Sequence, residues 1–415
     1  MTELPPQGFV IAEGTDPAGK IRVTLRIWTL GVILSAGVPG VTSAAEDRPR
    51  ARDIGVQIGI FEPGTFNAIT DVGGVRVGHA TKVEGKDIRT GVTAIIPGPG
   101  NLYTHPMPAW IHSGNGYGKL IGETQVREFG ELETPIVLTC TLCIWRAADA
   151  LKAWIYEQPG TGEHTVNPIV GETNDSVVNN MWADPIGRAE VFAALNGARS
   201  GPVDEGSVGA GTGTEAFGFK GGIGTSSRVL PDSLGGHTIG VLVQMNSWGV
   251  LTINGAPVGR ALGQYSYEQE TLPEDEDVED GSIVMVVATD APLRPKSLER
   301  LSKRAMMGLA RTGAYASNGS GDYVVAFSTH PDVRQPRESL APVSGPRLVN
   351  SAMSPLFLAT VEATEEAVVN ALLKATTVSS SRGTLEAIDI DAVREVLEHH
   401  KSTNWDETLP PRGGR

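Results

Sequence analysis

Short apolar runs punctuated by Gly, Pro and Asp recur along this chain. The runs at 91–98 (GVTAIIPG), 134–142 (TPIVLTCTL), 237–245 (HTIGVLVQM), 248–255 (WGVLTING), 282–290 (SIVMVVATD) and 322–329 (DYVVAFST) are rich in Val and Ile and read as strands. Several are apolar at successive rather than alternate positions, so both faces of their sheets are expected to be covered. The period becomes helical at 295–313, where Leu298, Leu301, Ala305 and Leu309 share one face and Gly313 suits the C-terminal end. Two more helices are predicted, 364–376 with Thr364 as its cap and acids in its first turn, and 389–400. Strands and helices in this mixture predict sheets layered with helices.

One stretch interrupts the pattern. In VLVQMNSWGVLTING (241–255) two apolar runs meet at Asn246-Ser247. A turn explains the break, because both residues are common turn formers. A second reading is that the chain is cut there and Ser247 becomes a new N-terminus. The Ser247 hydroxyl would make the cut by attacking the preceding carbonyl in an N-to-O acyl shift. The freed α-amine, with an ordinary pKa of about 8, would then serve as general base for its own hydroxyl.

The first 45 residues have a different texture. Lys20, Arg22 and Arg26 precede an apolar run at 27–38, and the small residues of VTSAAE (41–46) follow. That is the order of a signal peptide, with cleavage near Ala44 or Ala45, and the alternative is a disordered leader. The run is too short and too broken by Gly and Pro for a good membrane span. Export to the periplasm or outside the cell is the expectation.

Composition narrows the function classes. The 415 residues carry a net charge of −14, which argues against nucleic acid as a partner. The length admits either two to three domains or one large α/β unit, and 40% hydrophobic content supplies a substantial core. The familiar site patterns are incomplete. Gly209, Gly211 and Gly213 are followed by Thr214 where a dinucleotide fingerprint needs Gly, and GNGYGK (114–119) lacks the spacing of a P-loop. Both read as tight loops. HExxH, GxSxG and SxxK are absent. Cys140 and Cys143 are half of a zinc ribbon without the other half, leaving a local disulfide or two buried small side chains. The stretch 268–281 holds eight acids and reads as a solvated loop, since it lacks the spacing of a calcium loop.

Longer strings carry a resemblance. NAITDVGGVRVGHAT (67–81), TGVTAIIPG (90–98), LETPIVLT (132–139), GETND (171–175), GAGTGTEAFGFKGGIGTSSR (209–228), VLVQMNSWGVLTINGAPVGR (241–260), VVATDAPL (286–293) and ARTGAYASNGSGDYVVAFST (310–329) occur in that order. In these the chain resembles the DmpA-like self-processing aminopeptidases, which include the L-aminopeptidase/D-esterases and the β-aminopeptidases. The likeness covers about 67–376. It implies an α+β fold, a four-layer α/β/β/α sandwich of the N-terminal-nucleophile type. It implies a leader at 1–45, an α chain at 46–246 and a β chain at 247–415, the two chains forming one compact domain and assembling as a homotetramer. It implies removal of N-terminal amino acids from short peptides, amides or esters without a metal or other cofactor, and no membrane association after processing.

The resemblance also implies roles. Asn246 and Ser247 flank the autocleavage site and Ser247 is the nucleophile. Glu133, in LETP, matches the carboxylate that holds the substrate's ammonium in β-aminopeptidase members, a task for which a charge-assisted hydrogen bond is suited. Asp290 falls near a Ser-x-Glu pair that supports the nucleophile, although Ala288 stands in place of the Ser. Ser207 sits where relatives carry an Asn that binds the oxyanion. Asn174 and Asp175 line the pocket or hold a turn. The Asn-Ser site and LETP favour the β-aminopeptidase branch. The rival enzyme reading is an acyltransferase of similar fold, against which Ser247 speaks because such enzymes usually use Thr. A binding protein that never cleaves is the non-enzyme rival.

Overall fold

The computed structural model describes residues 48–268, 281–341 and 345–409. The expected leader lies outside the described residues, as do positions 269–280 of the acidic stretch. Strands β1 (Arg76–Glu84), β2 (Ile88–Ile96), β3 (Met107–Gly116), β4 (Leu120–Ile121), β5 (Glu131–Leu132), β6 (Ile136–Cys140) and β7 (Ile169–Thr173) come first. Then follow β8 (Glu215–Ala216), β9 (Phe219–Lys220), β10 (Gly222–Val229), β11 (Thr238–Asn246), β12 (Ser282–Thr289) and β13 (Gly321–Ser328). The helices among the described residues are α1 (Glu123–Phe129), α2 (Ile144–Tyr156), α3 (Arg188–Asn196), α4 (Val258–Leu262), α5 (Pro295–Arg311), α6 (Met353–Leu373), α7 (Ile390–His399) and the short α8 (Trp405–Thr408).

The two large sheets among the described residues are ordered β1-β2-β6-β7-β4 and β10-β11-β12-β13-β3-β5. Alternation along β11 and β12 shows why these runs are apolar at successive positions. Val241, Val243, Met245, Ile283, Met285 and Val287 enter a core with α5 and α6. Leu242, Val284, Val286 and Ala288 face the other way and meet Ile95, Ile136, Leu138 and Ile169 of the five-stranded sheet. That sheet turns Val92, Ala94, Val137 and Val170 onto α2 and α3. The layers therefore run helix, sheet, sheet, helix, as the resemblance implied.

Two predicted elements differ. The 248–255 run does not form a strand. It lies along the loop after α5, with Val250 N–H donating to Gly313 O (3.1 Å) and Thr252 N–H to Thr312 O (2.9 Å). Asn254 and Gly255, at φ 48° and 82°, then turn it back so that Ile253 pairs with Ala256. The helix predicted at 364–376 begins eleven residues earlier, at Met353. Thr364 is buried inside it and returns its hydroxyl to Thr360 O (2.7 Å). The acids that looked like a first turn are interior because cations meet them: Arg228 pairs with Glu362 and Glu366, Arg52 with Glu366, and Arg311 with Glu365.

Candidate active site

Strand β11 delivers Asn246 and Ser247 to one end of the sandwich. Asn246 pairs with Ser282, the first residue of β12, and Ser282 pairs with Gly321, the first residue of β13. The β8–β9 hairpin closes over this end. Phe217 and Gly218 form its turn with φ 54° and 78°, the left-handed pair that suits a two-residue hairpin. Phe217 N–H donates to Ser247 O (2.9 Å), and Glu215 N–H donates to Asn246 Oδ1 (2.9 Å). On the β10 side Gly221 packs so closely that a Cβ would lie 2.4 Å from Met245 O. Asn246 and Ser247 are only 2% and 3% exposed, so a reaction there is shielded from bulk water.

Three titratable groups surround this junction, Lys220 and Asp175 buried and Glu215 half-buried. Glu215 and Lys220 are cross-strand partners in the hairpin. Burial pushes the Glu215 carboxyl up to about 7 and pulls the Lys220 ammonium down to about 7. Lys220 Nζ donates to Gly211 O (2.7 Å) and Gly221 O (2.8 Å). Asp175, beyond β7, accepts from Asn179 Nδ2 (2.9 Å) and is raised to about 6, also by burial. Groups poised near neutrality are what proton transfer at physiological pH requires. Ser282 adds a hydroxyl beside Asn246, donating to Gly281 O (2.6 Å) and accepting from Gly321 N–H (3.1 Å).

The residues assigned from sequence do not all gather here. Asn174 lies just past β7 at the same end as Ser247, and its Oδ1 accepts from Ser176 N–H (3.0 Å), the bond of a local turn. Asp290 is at the opposite end. The antiparallel register that sets Asn246 against Ser282 sets Ile239 against Thr289, and the Asp290 carboxylate accepts from Thr238 N–H (2.8 Å). Eight residues of extended strand separate Thr238 from Asn246, on the order of 25 Å, so Asp290 does not touch the nucleophile. Ser207 spends its hydroxyl on Thr376, donating to its O (2.9 Å) and accepting from its N–H (3.0 Å).

Glu133 is also remote. Gln244 Nε2 donates to Thr139 O (3.0 Å) and Thr173 Oγ1 (2.9 Å), which puts the Ser247 end of β11 at the C-terminal ends of β6 and β7. Glu133 precedes β6, at its other end. Its Oε1 accepts both Asn167 N–H (2.6 Å) and Asn167 Nδ2 (2.9 Å), and its Oε2 pairs with Arg337. Arg337 in turn donates to Tyr103 O (2.8 Å) and lies 4.3 Å over the Tyr103 ring. This carboxylate staples a loop. Glu133→Ala is therefore expected to cost about 1–3 kcal/mol of stability, the worth of the hydrogen bonds and ion pair made by this buried carboxylate, with KM unchanged. Thermal unfolding and steady-state kinetics on the same preparation check both halves.

Sequence reading passed over Glu215, Lys220, Ser282 and Glu172. Lys220 carried one signal, a lone cation between apolar and Gly residues in FGFKGG. The two cysteines form a disulfide, Cys140 at the end of β6 and Cys143 just before α2.

A family model described as Peptidase family S58 matches residues 67–385. A beta-peptidyl aminopeptidase of Sphingosinicella microcystinivorans is 37% identical over 387 residues, covering 88% of this chain and 96% of that protein. A Burkholderia sp. beta-aminopeptidase structure has a TM-score of 0.77 and 41% identity, over 85% of this chain and 99% of its own. The L-aminopeptidase D-Ala-esterase/amidase of Ochrobactrum anthropi, a prototype of the serine aminopeptidases and a variant of the Ntn hydrolase fold, has a TM-score of 0.76 and 36% identity, over 86% and 100%. The four-layer sandwich and these similarities agree: the chain belongs to peptidase family S58 and is an aminopeptidase, a hydrolase of the N-terminal-nucleophile fold.

Proposed function

We propose that this aminopeptidase is made as a precursor that cuts itself between Asn246 and Ser247, and that Ser247 then removes N-terminal β-amino acids from short peptides and amides. The observation that carries the reading is the clamp on Asn246-Ser247: the hairpin holds the Asn246 side chain and the Ser247 carbonyl, beside buried and half-buried groups poised near neutral pH. In the cut, Ser247 Oγ attacks the Asn246 carbonyl, the C–N bond breaks, and the departing nitrogen takes up a proton to become the α-amine. Water then hydrolyses the ester and frees the Asn246 carboxylate. In turnover the α-amine takes the Oγ proton as Oγ attacks the substrate carbonyl. The leaving amine carries that proton away, and water releases the amino acid from the Ser247 ester.

The sheet supports two chains that stay together, because β11 belongs to the 46–246 chain and pairs along its length with β12 of the 247–415 chain. Preference for β-amino acids rests on the names of the Sphingosinicella and Burkholderia relatives. Export through the 1–45 leader and a homotetramer complete the proposal. Intact mass of the purified wild type tests the core of it. Two fragments split after Asn246 are expected, and a single chain overturns the self-cutting mechanism. A panel of β-alanyl, L-alanyl and D-alanyl p-nitroanilides tests the specificity, with the β-alanyl compound expected to give the highest kcat/KM. Turnover of the α-compounds alone rejects the β-preference.

A further inference from the structure

Three sequence features have no part in the chemistry above: the GNGYGK loop, the CTLC turn and the Glu of GETND. The fold brings them together beside the nucleophile. Gly118 packs on the end of β13, where a Cβ would lie 3.0 Å from Gly321 Cα and 3.2 Å from Glu172 Oε1. Gly321 is the residue whose N–H reaches Ser282 Oγ, and Ser282 pairs with Asn246. Glu172 thus stands one glycine contact away from the strand pair that presents Ser247. It is 2% exposed and is the penultimate residue of a strand whose C-terminal end faces the site.

Its carboxylate is held in a specific way. Oε1 accepts the Lys119 N–H (2.8 Å) and pairs with Lys119 Nζ (3.1 Å), and Oε2 accepts the Thr141 hydroxyl. The Cys140–Cys143 disulfide brackets Thr141. Two of these partners are fixed by backbone or cross-link. The third, the Lys119 ammonium, sits on a long flexible stem one-third exposed to solvent, and Glu172 is its one ion-pair partner among the described residues.

An aminopeptidase needs an anion to recognise a primary ammonium near its nucleophile, and the Glu133 carboxylate is saturated at the other end of the sheets. We propose that Glu172 receives the ammonium of the substrate, and that Lys119 holds that place in the empty enzyme and swings into water when substrate enters. The proposal rests on Ser247 being the nucleophile. Lys119 is suited to such exchange because an ammonium is strongly hydrated and a solvent-facing pair of this kind is weak. The Lys119 N–H and Thr141 hydroxyl remain to orient the carboxylate, so the vacated position is a preformed socket for one compact cation. Lys119 is a competitor of the substrate, and removing it strengthens binding.

Calorimetric titration with propylammonium, which needs no turnover, is the primary test, read on wild type, Lys119→Ala and Glu172→Gln. Binding to Lys119→Ala is expected to be about two- to five-fold tighter than to wild type, the worth of a pair whose ammonium stays partly in water. Glu172→Gln is expected to lose about 10- to 100-fold, the worth of a charge-assisted bond. In kinetics, KM for β-alanyl p-nitroanilide should fall in Lys119→Ala. The preference for this substrate over its N-acetyl derivative should collapse in Glu172→Gln. Unchanged or weaker binding to Lys119→Ala overturns the proposal, as does a Glu172→Gln enzyme that keeps the wild-type preference. Should Glu172→Gln fail to fold, Lys119→Ala decides alone. Failure of the Ser247 reading has a different signature, turnover that survives Ser247→Ala, and leaves the titrations interpretable.

Discussion

Ser247→Ala is expected to yield one unbroken chain with native secondary structure and a kcat/KM lowered by roughly 10⁴- to 10⁶-fold, the range for loss of a covalent nucleophile. Both effects have one origin. Alanine keeps the backbone bond from Phe217 to the residue 247 carbonyl and the Asn246 side-chain bond to Glu215, so the clamp remains. What disappears is the oxygen that attacks in the cut and in turnover. Without the cut there is no α-amine at residue 247 to act as base, so the variant lacks nucleophile and base together. Ser247→Thr and Ser247→Cys separate these roles, since each keeps a nucleophilic atom. Mass spectrometry shows whether the chain is cut, and turnover of β-alanyl p-nitroanilide shows whether a cut chain works. A Ser247→Ala protein that is split, or that retains more than a hundredth of the wild-type activity, removes Ser247 from the mechanism.

The second large effect lies far from chemistry. Arg228→Met is expected to lower unfolding free energy by about 3–5 kcal/mol, the usual consequence of breaking a buried ion pair by removing one partner. Arg228 is wholly buried in β10. Its guanidinium donates to Ser227 O (2.7 Å) and Ile58 O (2.6 Å), pairs with Glu366 (2.7 Å), and stands 3.4 Å from Glu362. Burial alone would raise Glu366, but Arg228 and Arg52 outweigh it and hold the carboxyl below its ordinary value. A depressed folded-state pKa stabilises the protein above the unfolded value of about 4.3, and that contribution fades as pH falls through the folded one. Removing Arg228 leaves Glu362 and Glu366 with too little positive charge beside them, Arg52 alone remaining on Glu366, and protonation relieves the excess. The deficit of the variant is therefore expected to be largest at neutral pH and to shrink towards pH 4. Urea unfolding at pH 7 and pH 4.5 measures it, and Glu366→Leu added to Arg228→Met should recover much of the loss.

Local pattern and long-range geometry were legible to different degrees. The runs at 237–245 and 282–290 read as strands covered on both faces because apolar residues fall at successive positions, and the sandwich buries both faces of each. The α5 helix was clear because its apolar positions keep one face. The start of α6 was hidden because Glu362, Glu365 and Glu366 look like surface residues until Arg228, Arg52 and Arg311 arrive from distant parts of the chain. In the site, Asn246-Ser247 showed as a polar break in an apolar string. The supporting residues did not, because they are set by strand register: a neighbour of Ser247 such as Ser282 lies 35 residues away in sequence, and Asp290, eight residues further, is carried to the other end of the same pair. Glu133 was misplaced for the same reason, since nothing local distinguishes the two ends of β6. Residues 248–255 have the composition of a strand, but Gly249 lies against Gly313, where a Cβ would come within 2.2 Å of its carbonyl, and the segment beds on a loop.

With the chain cut after Asn246 as proposed, the pairing of β11 with β12 has a consequence for the life history of the molecule. Before the cut the two strands belong to one chain, and their search for each other is intramolecular, at a fixed effective concentration. After it they belong to separate molecules, yet they remain adjacent in the middle of a six-stranded sheet, between β10 on one flank and β13 on the other. The fragments cannot part by sliding off an edge; they part only when the sheet itself is lost. Maturation thus exchanges a first-order refolding problem for a second-order one. A mature enzyme that has once unfolded in dilute solution has no tether to guide its return, and its persistence depends on how slowly the sheet opens.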